Sequence, residues 1–251
     1  MNKKTETSWE SVSKWYDDYQ AKDGGYFHNE IIMPKLLPLL NLKAGDSLLD
    51  VACGEGILSR KIPKGIKYLG LDASKSLIQI AKQKNSAAEF IVQDATKPFS
   101  INETFSHATI ILAFQNIEKP DLMLKEIAKV LKGKLVITLN HPCFRIPRQS
   151  SWGYDESKKL QYRRIDRYMT HLDIPIQMSP SQKEASSQTI SFHTPLSTIF
   201  SHLNQAGFVV ENLHEWCSEK ESIGSRAKAE NRAREEFPLF LTLVCNKGVN
   251  F

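Results

Sequence analysis

The chain has 251 residues, 41% of them apolar and 24% charged, which allows one α/β domain with an inserted cap. Its net charge of +5 comes from lysines and arginines spread along the sequence, a mild basicity that fits a solvated surface and is compatible with an acidic substrate or RNA. Cys53, Cys143, Cys217 and Cys245 form no CxxC pair and the histidines lack metal spacing, so no structural zinc is expected and the default is a reduced cytoplasmic protein.

Met1 to Glu10 is polar, without the apolar centre of a signal peptide, and no apolar run approaches a membrane span. Trp9, Val12, Tyr16 and Tyr19 then recur at helical spacing, with Trp15 beside the stripe. A second helix is expected from about Asn29 to Leu40, kinked or broken by Pro34 and Pro38. Either both helices simply pack on a sheet edge, or residues 1–44 form a lid in which Tyr16, Tyr19, Tyr26 or His28 closes over bound molecules.

Lys43 to Asp46 reads as a turn, and Leu48 to Val51, apolar apart from Asp50, as a short buried parallel strand. Ala52-Cys53-Gly54-Glu55-Gly56 follows, where the glycines allow a tight turn that a ligand can approach without a Cβ in the way. Ile57 to Lys61 continues into a short helix. Tyr68 to Asp72 is the second expected strand, ending in an acid about 20 residues past the first, where a carboxylate can accept both ribose hydroxyls. Ser74 is the expected N-cap of an amphipathic helix to Lys84. Phe90 to Ala95 is the third strand and again ends in an acid, Asp94, able to accept from an exocyclic adenine amine.

Residues 96–105 form a loop around Pro98. His107 to Phe114 is expected as the central fourth strand, with Ala113, Phe114 and Gln115 at its tip. Asp121 to Lys132 reads as a helix with Leu122, Leu124, Ile127, Ala128 and Leu131 inward, stopped by Gly133. Leu135 to Leu139 makes the fifth strand, and the regular βαβα alternation argues a parallel, doubly wound sheet.

The pattern then breaks. Residues 141–190 carry several prolines and aromatics and an arginine cluster of Arg145, Arg148, Arg163, Arg164 and Arg167. A structureless loop of that length is improbable in a compact domain, so the segment is expected to be a cap that chooses the substrate. Thr194 is the expected N-cap of the last helix, with Pro195 at its first position and Gly207 past its end. Phe208 to Leu213 and Pro238 to Cys245 read as strands, joined by a charged loop or solvated helix over Cys217 to Glu236.

These residues resemble the class I S-adenosylmethionine-dependent methyltransferases over roughly residues 45–140. Asp50-x-Ala52-x-Gly54-x-Gly56 is similar to that family's first motif, with Ala52 where the first glycine often stands. The resemblance implies a Rossmann-like, doubly wound, seven-stranded, mostly parallel sheet whose seventh strand is antiparallel. The domain divides as lid 1–44, cofactor-binding core 45–140, cap 141–190, and C-terminal helix and strand pair 191–251. The implied cofactor is S-adenosyl-L-methionine, leaving S-adenosyl-L-homocysteine as product. Asp50, Ala52, Gly54 and Gly56 would hold its methionine end, Asp72, Ala73 and Ser74 its ribose and adenine edge, and Asp94 with Ala95 its adenine. Ala113 and Phe114 would line the methyl region. A NAD site fits less well: Ser59 stands where helix packing wants glycine, and Asp50 would face a pyrophosphate unfavourably.

His141, at the end of the fifth strand, is the candidate general base, with a hydrogen-bonding role in orienting the cap as the alternative. His28 and His193 are further candidates. Tyr16, His28, Gln115, Phe144 and Arg145 are the candidate substrate contacts, and the cap arginines either bind an anionic acceptor or pair with Asp155, Glu156, Asp166 and Asp173. The expected function is methyl transfer to a small organic acceptor, with an RNA acceptor or a non-catalytic cofactor-binding regulator as alternatives. No metal and no membrane are expected; oligomeric state does not follow from the residues.

Overall fold

The computed structural model describes residues 9–20, 25–178 and 188–248; the side chains of Tyr19 and Gln20 and all other positions, cap residues 179–187 among them, lie outside the described residues. The chain enters through a 3-10 turn at Glu10–Val12 and helix α1 (Ser13–Gln20). A π-helical stretch, Phe27–Ile32, then runs directly into α2 (Met33–Leu40). Pro34 lies in the first turn of α2 and Pro38 inside it. The wider π turn takes up the register change ahead of the prolines, so this helix is continuous rather than broken.

Five strands follow in parallel: β1 (Ser47–Val51), β2 (Lys67–Asp72), β3 (Glu89–Val92), β4 (Phe105–Ile111) and β5 (Leu131–Asn140). Helix α3 (Lys75–Lys84) joins β2 to β3, and α4 (Pro120–Val130) joins β4 to β5. The cap is built as two antiparallel hairpins, β6 (Ser150–Asp155) with β7 (Leu160–Ile165) and β8 (Leu172–Gln177) with β9 (Gln188–His193). Helix α5 (Leu196–Gln205), β10 (Phe208–Trp216), α6 (Ala227–Glu236) and β11 (Phe240–Lys247) complete the fold. The main sheet runs β10-β11-β5-β4-β1-β2-β3, with β11 antiparallel to both neighbours. This is the seven-stranded doubly wound sheet that the motifs implied. Strand order reverses between β1 and β4, so the crevice for a ligand opens above the carboxyl ends of those two strands.

One face of the sheet packs Leu49, Val51, Ile110 and Leu139 against α4 and α5, and the other packs Leu48, Tyr68, Phe90 and Phe240 against α2 and α3. Several boundaries differ from the sequence expectation for local reasons. Strand β3 stops at Val92, which leaves Asp94 in the following turn. Strand β4 starts at Phe105 and ends at Ile111, because Leu112 turns to φ +52°. Gly133 does not end α4: it lies inside β5, where a Cβ would come 2.3 Å from the Ser106 carbonyl oxygen of β4. The inward face of α4 is Met123, Leu124, Ile127 and Val130, whereas Leu122 is 37% exposed. Thr194 does not cap α5; Pro195 holds the cap position and the Tyr168 hydroxyl accepts the Leu196 N–H at 3.0 Å. The charged stretch before β11 contains α6, which buries Ala233.

Candidate functional site

Strand β1 ends in a turn built on three left-handed residues, Ala52 (φ +56°), Gly54 (φ +57°) and Gly56 (φ +75°). Gly56 has no alternative: a Cβ there would meet the Phe90 ring at 2.8 Å. At Gly54 a Cβ would meet only the ring of Tyr16, at 3.5 Å, so this backbone is open to whatever displaces or shares space with that ring. Ala52 adopts the glycine conformation without being glycine, at a cost of about 1 kcal/mol or more. The Asp72 carboxylate anchors the turn, with Oδ2 accepting the Gly54 N–H at 3.0 Å and Oδ1 the Ser74 N–H at 2.8 Å. Ser74 in turn caps α3 by accepting the Leu77 N–H at 3.1 Å.

The acids at the strand tips have different surroundings. Asp50 is 2% exposed and accepts a hydrogen bond from the Tyr68 hydroxyl at 2.7 Å. Burial pushes its pKa up to about 7, against the Tyr68 hydrogen bond and helped by the charge of Asp72. Burial also raises the pKa of Asp72, partly offset by the Ser74 and Gly54 N–H groups. Asp94 folds back on its own turn, accepting from the Thr96 N–H and hydroxyl, both at 2.8 Å. Sequence reasoning missed a fourth acid, Glu10, which accepts the Ser74 and Ser76 hydroxyls at 2.6 Å each and so fastens the N-terminal segment over the start of α3. Only its place between Trp9 and Val12 of the helical stripe marked it.

The raised pKa of Asp50 has a consequence for stability. Between the unfolded value of 3.8 and about 7, the folded protein holds a proton that the unfolded chain has released, so this contribution to stability is lost as pH rises through that window. Asp50→Asn, which still accepts from Tyr68, is expected to raise stability at pH 8 by on the order of 1 kcal/mol, seen as a higher melting temperature, and to change little at pH 4. Thermal melts at the two pH values check this; an equal effect at both would contradict it.

Tyr16 reaches the turn from α1, its ring edge-on to Trp9 at 5.5 Å between centroids. His28 is 6% exposed in the π-helical stretch, and burial alone lowers its pKa to about 4, so it is neutral. A charged chain ties α1 to the turn: Asp17 to Lys84 at 2.5 Å, Lys84 to Glu55 at 2.9 Å, and Glu55 to Arg60 at 2.8 Å.

Beyond the tip of β4, Ala113 and Phe114 are buried, and Phe114 and Gln115 line a cleft with Asn140, Arg145 and, from the cap, Ser191 and His193. Its volume is about 30 Å³, too small for an organic acceptor, so the cap is closed on the strand tips in this conformation. Arg145 lies over the rings of Phe27 and Phe240 at 6.0 and 5.7 Å. Phe144 instead packs on His141 and Phe237. His141 is 2% exposed with both ring nitrogens engaged: Nδ1 accepts the Cys143 N–H at 3.2 Å and Nε2 donates to Glu215 at 2.7 Å. In this arrangement it has no free lone pair and orients the first turn of the cap. Of the cap arginines, Arg164 pairs with Asp166, and Arg163 donates to the Phe144 carbonyl and Ser150 while lying over Trp152. Glu156 pairs with Arg226 from outside the cap. Among the described residues no cluster of His, Cys, Asp or Glu could hold a metal, and no helix is long and apolar enough to cross a membrane.

A glycine turn thus stands at the topological switch point, ringed by carboxylates and followed by a four-residue 3-10 turn rather than a long helix. Together with a sheet whose last strand is antiparallel, that is the class I methyltransferase architecture. Residues 49–137 match the family described as a methyltransferase domain. The chain is 35% identical over 105 residues to a demethylmenaquinone methyltransferase of Renibacterium salmoninarum, covering 40% of this chain and 44% of that one. It is 32% identical over 141 residues to the enzyme of the same name from Bacillus licheniformis, covering 52% and 58%. The chain thus spans about half the length of these curated relatives. Among solved structures, an S-adenosylmethionine-dependent methyltransferase from Mesorhizobium loti superposes with a TM-score of 0.66 at 23% identity, over 85% of this chain and 96% of that one. The CcbJ methyltransferase of Streptomyces caelestis does so with a TM-score of 0.64 at 12% identity, over 98% and 100%. Residues 49–137 thus carry the likeness to a methyltransferase domain, and the solved methyltransferases share the fold of the chain as a whole.

Proposed function

We propose that this protein transfers a methyl group from S-adenosylmethionine to a small organic acceptor. The observation that carries the reading is the acid-ringed turn: the carboxyl groups of Asp50, Asp72 and Glu10 gather where bare backbone is open at Gly54. The cofactor supplies an electrophilic methyl carbon on a sulfonium. Asp72 accepts from the ribose hydroxyls with lone pairs that the Gly54 and Ser74 N–H groups leave over, and Asp94 with Ala95 borders the adenine. Asp50 supplies a buried counter-charge to the cationic methionine end, its ionised form favoured once a cation is near. Phe114 and the closed cap keep the methyl region dry, and alignment in a dry cleft is the main lever for an in-line displacement.

The small-molecule acceptor class is supported by the curated relatives, whose names specify demethylmenaquinone. The test is formation of S-adenosylhomocysteine, read by mass spectrometry, with demethylmenaquinol, phenol, aniline and bulk tRNA as acceptors. Product is expected with a small molecule, at a rate little changed between about 50 and 200 mM salt. Product with tRNA alone, falling steeply over that range, would overturn the acceptor class.

A further inference from the structure

We propose that Gln115 and His193 together read an N–H or O–H group on the methyl acceptor, and that Nδ1 of His193 takes the proton this group loses. The inference rests on the methyl-transfer reading. Gln115 follows the tip of β4, where Leu112 is held at φ +52° and offers its carbonyl to two side-chain amides, Gln115 Nε2 at 2.7 Å and Asn116 Nδ2 at 3.1 Å. A carbonyl can only accept, so the Gln115 amide is fixed with Nε2 toward Leu112. Its Oε1 is then buried without a donor. Such an orphan acceptor is costly and calls for a partner, which a ligand N–H or O–H supplies.

His193 faces the same cleft from the end of β9. It is 6% exposed, and its Nε2 donates to the Tyr168 carbonyl at 2.7 Å. Since that carbonyl cannot donate, the proton of the neutral ring sits on Nε2 and the lone pair on Nδ1. Burial lowers the ring's pKa, with His171 adding to the effect against the Tyr168 hydrogen bond, so the lone pair is available at neutral pH. The same Tyr168 accepts the first N–H of α5 through its hydroxyl, which fixes the imidazole relative to the helix. The contrast with His141, both of whose nitrogens are engaged, assigns the proton-accepting role to the cap.

Two acceptors lining one cleft select an acceptor molecule that donates: an amine, a phenol or an enol, rather than a thioether or a fully alkylated nitrogen. His193 gains the acceptor's proton as its nitrogen, oxygen or enol carbon bonds to the methyl carbon. The electron pair of the broken carbon–sulfur bond stays with the departing thioether, so one imidazolium replaces one sulfonium and charge balances.

The test begins with long-range ¹H–¹⁵N correlation of the full-length protein labelled at histidine. The expected spectrum shows His193 as the Nε2–H tautomer, with an Nδ1 resonance that moves on adding phenol or aniline and not on adding anisole or N,N-dimethylaniline. Gln115→Ala is expected to weaken the phenol response about tenfold. His193→Gln is expected to lower S-adenosylhomocysteine formation with the same donor probes about 100-fold, with S-adenosylhomocysteine affinity by calorimetry unchanged. An Nδ1–H tautomer, an equal or absent response to probes with and without a donor, or an undiminished rate in His193→Gln would overturn the proposal. Failure of the wild-type protein to bind S-adenosylhomocysteine would instead sink the methyl-transfer reading, leaving the tautomer and donor preference to be judged separately.

Discussion

Asp72→Ala is expected to lower affinity for S-adenosylhomocysteine about 100-fold. Two effects combine. The ribose hydroxyls lose a carboxylate acceptor, and hydrogen bonds to a charged group contribute about 1.5–3 kcal/mol. The turn also loses its anchor, because the Gly54 and Ser74 N–H groups both end on Asp72. The protein itself should remain folded, since burial that raises the Asp72 pKa means its charge is held at a cost. Asp72→Asn, which keeps one acceptor oxygen, should fall between the two. Calorimetric titration checks the series alongside thermal melts; unchanged affinity in Asp72→Ala would place the ribose elsewhere.

Glu55→Ala is expected to cost about 3 kcal/mol of stability, or about 10 °C in melting temperature. Glu55 sits between the two glycines of the turn, is 1% exposed, and is held by both Nη2 contacts of Arg60, at 2.9 and 2.8 Å, and by Lys84 at 2.9 Å. Arg60 also donates through Nη1 to the Glu55 carbonyl at 3.1 Å. Removing the carboxylate leaves two cations beside each other with only Asp17 as a remaining partner of Lys84. The side chains of Arg60 and Lys84 are 18% and 21% exposed, so they reach some water, which keeps the loss near the low end for a broken buried pair. Because Asp17 belongs to α1, the same change should loosen the N-terminal helix from the turn, seen as faster amide exchange over residues 13–18. A loss below about 1 kcal/mol would mean the two cations solvate freely.

The core of this fold could be read from sequence because its signals were local. Leu48 to Val51 is a short run apolar apart from Asp50, Tyr68 to Asp72 closes on an acid, and Gly54 and Gly56 sit where the backbone needs positive φ. The Ser74 cap was legible for the same reason. What escaped was set by partners distant in sequence. Gly133 looked like a helix stop, but it is glycine because β4 passes too close for a Cβ. The cap of α5 comes from Tyr168, a residue no pattern near Pro195 could indicate. His141 drew attention by position alone, whereas its engagement by Glu215 depends on β10 lying two strands away. Ala52 shows the reverse case: a motif position without its glycine still takes the glycine conformation, because the surrounding turn imposes it.

Titration of S-adenosylhomocysteine and, separately, of NAD into the full-length protein tests the central claim most directly. One saturable site for S-adenosylhomocysteine, with no heat from NAD, is the predicted result. Binding of NAD in its place, or of neither, would contradict a turn shaped and charged for an adenosyl sulfonium.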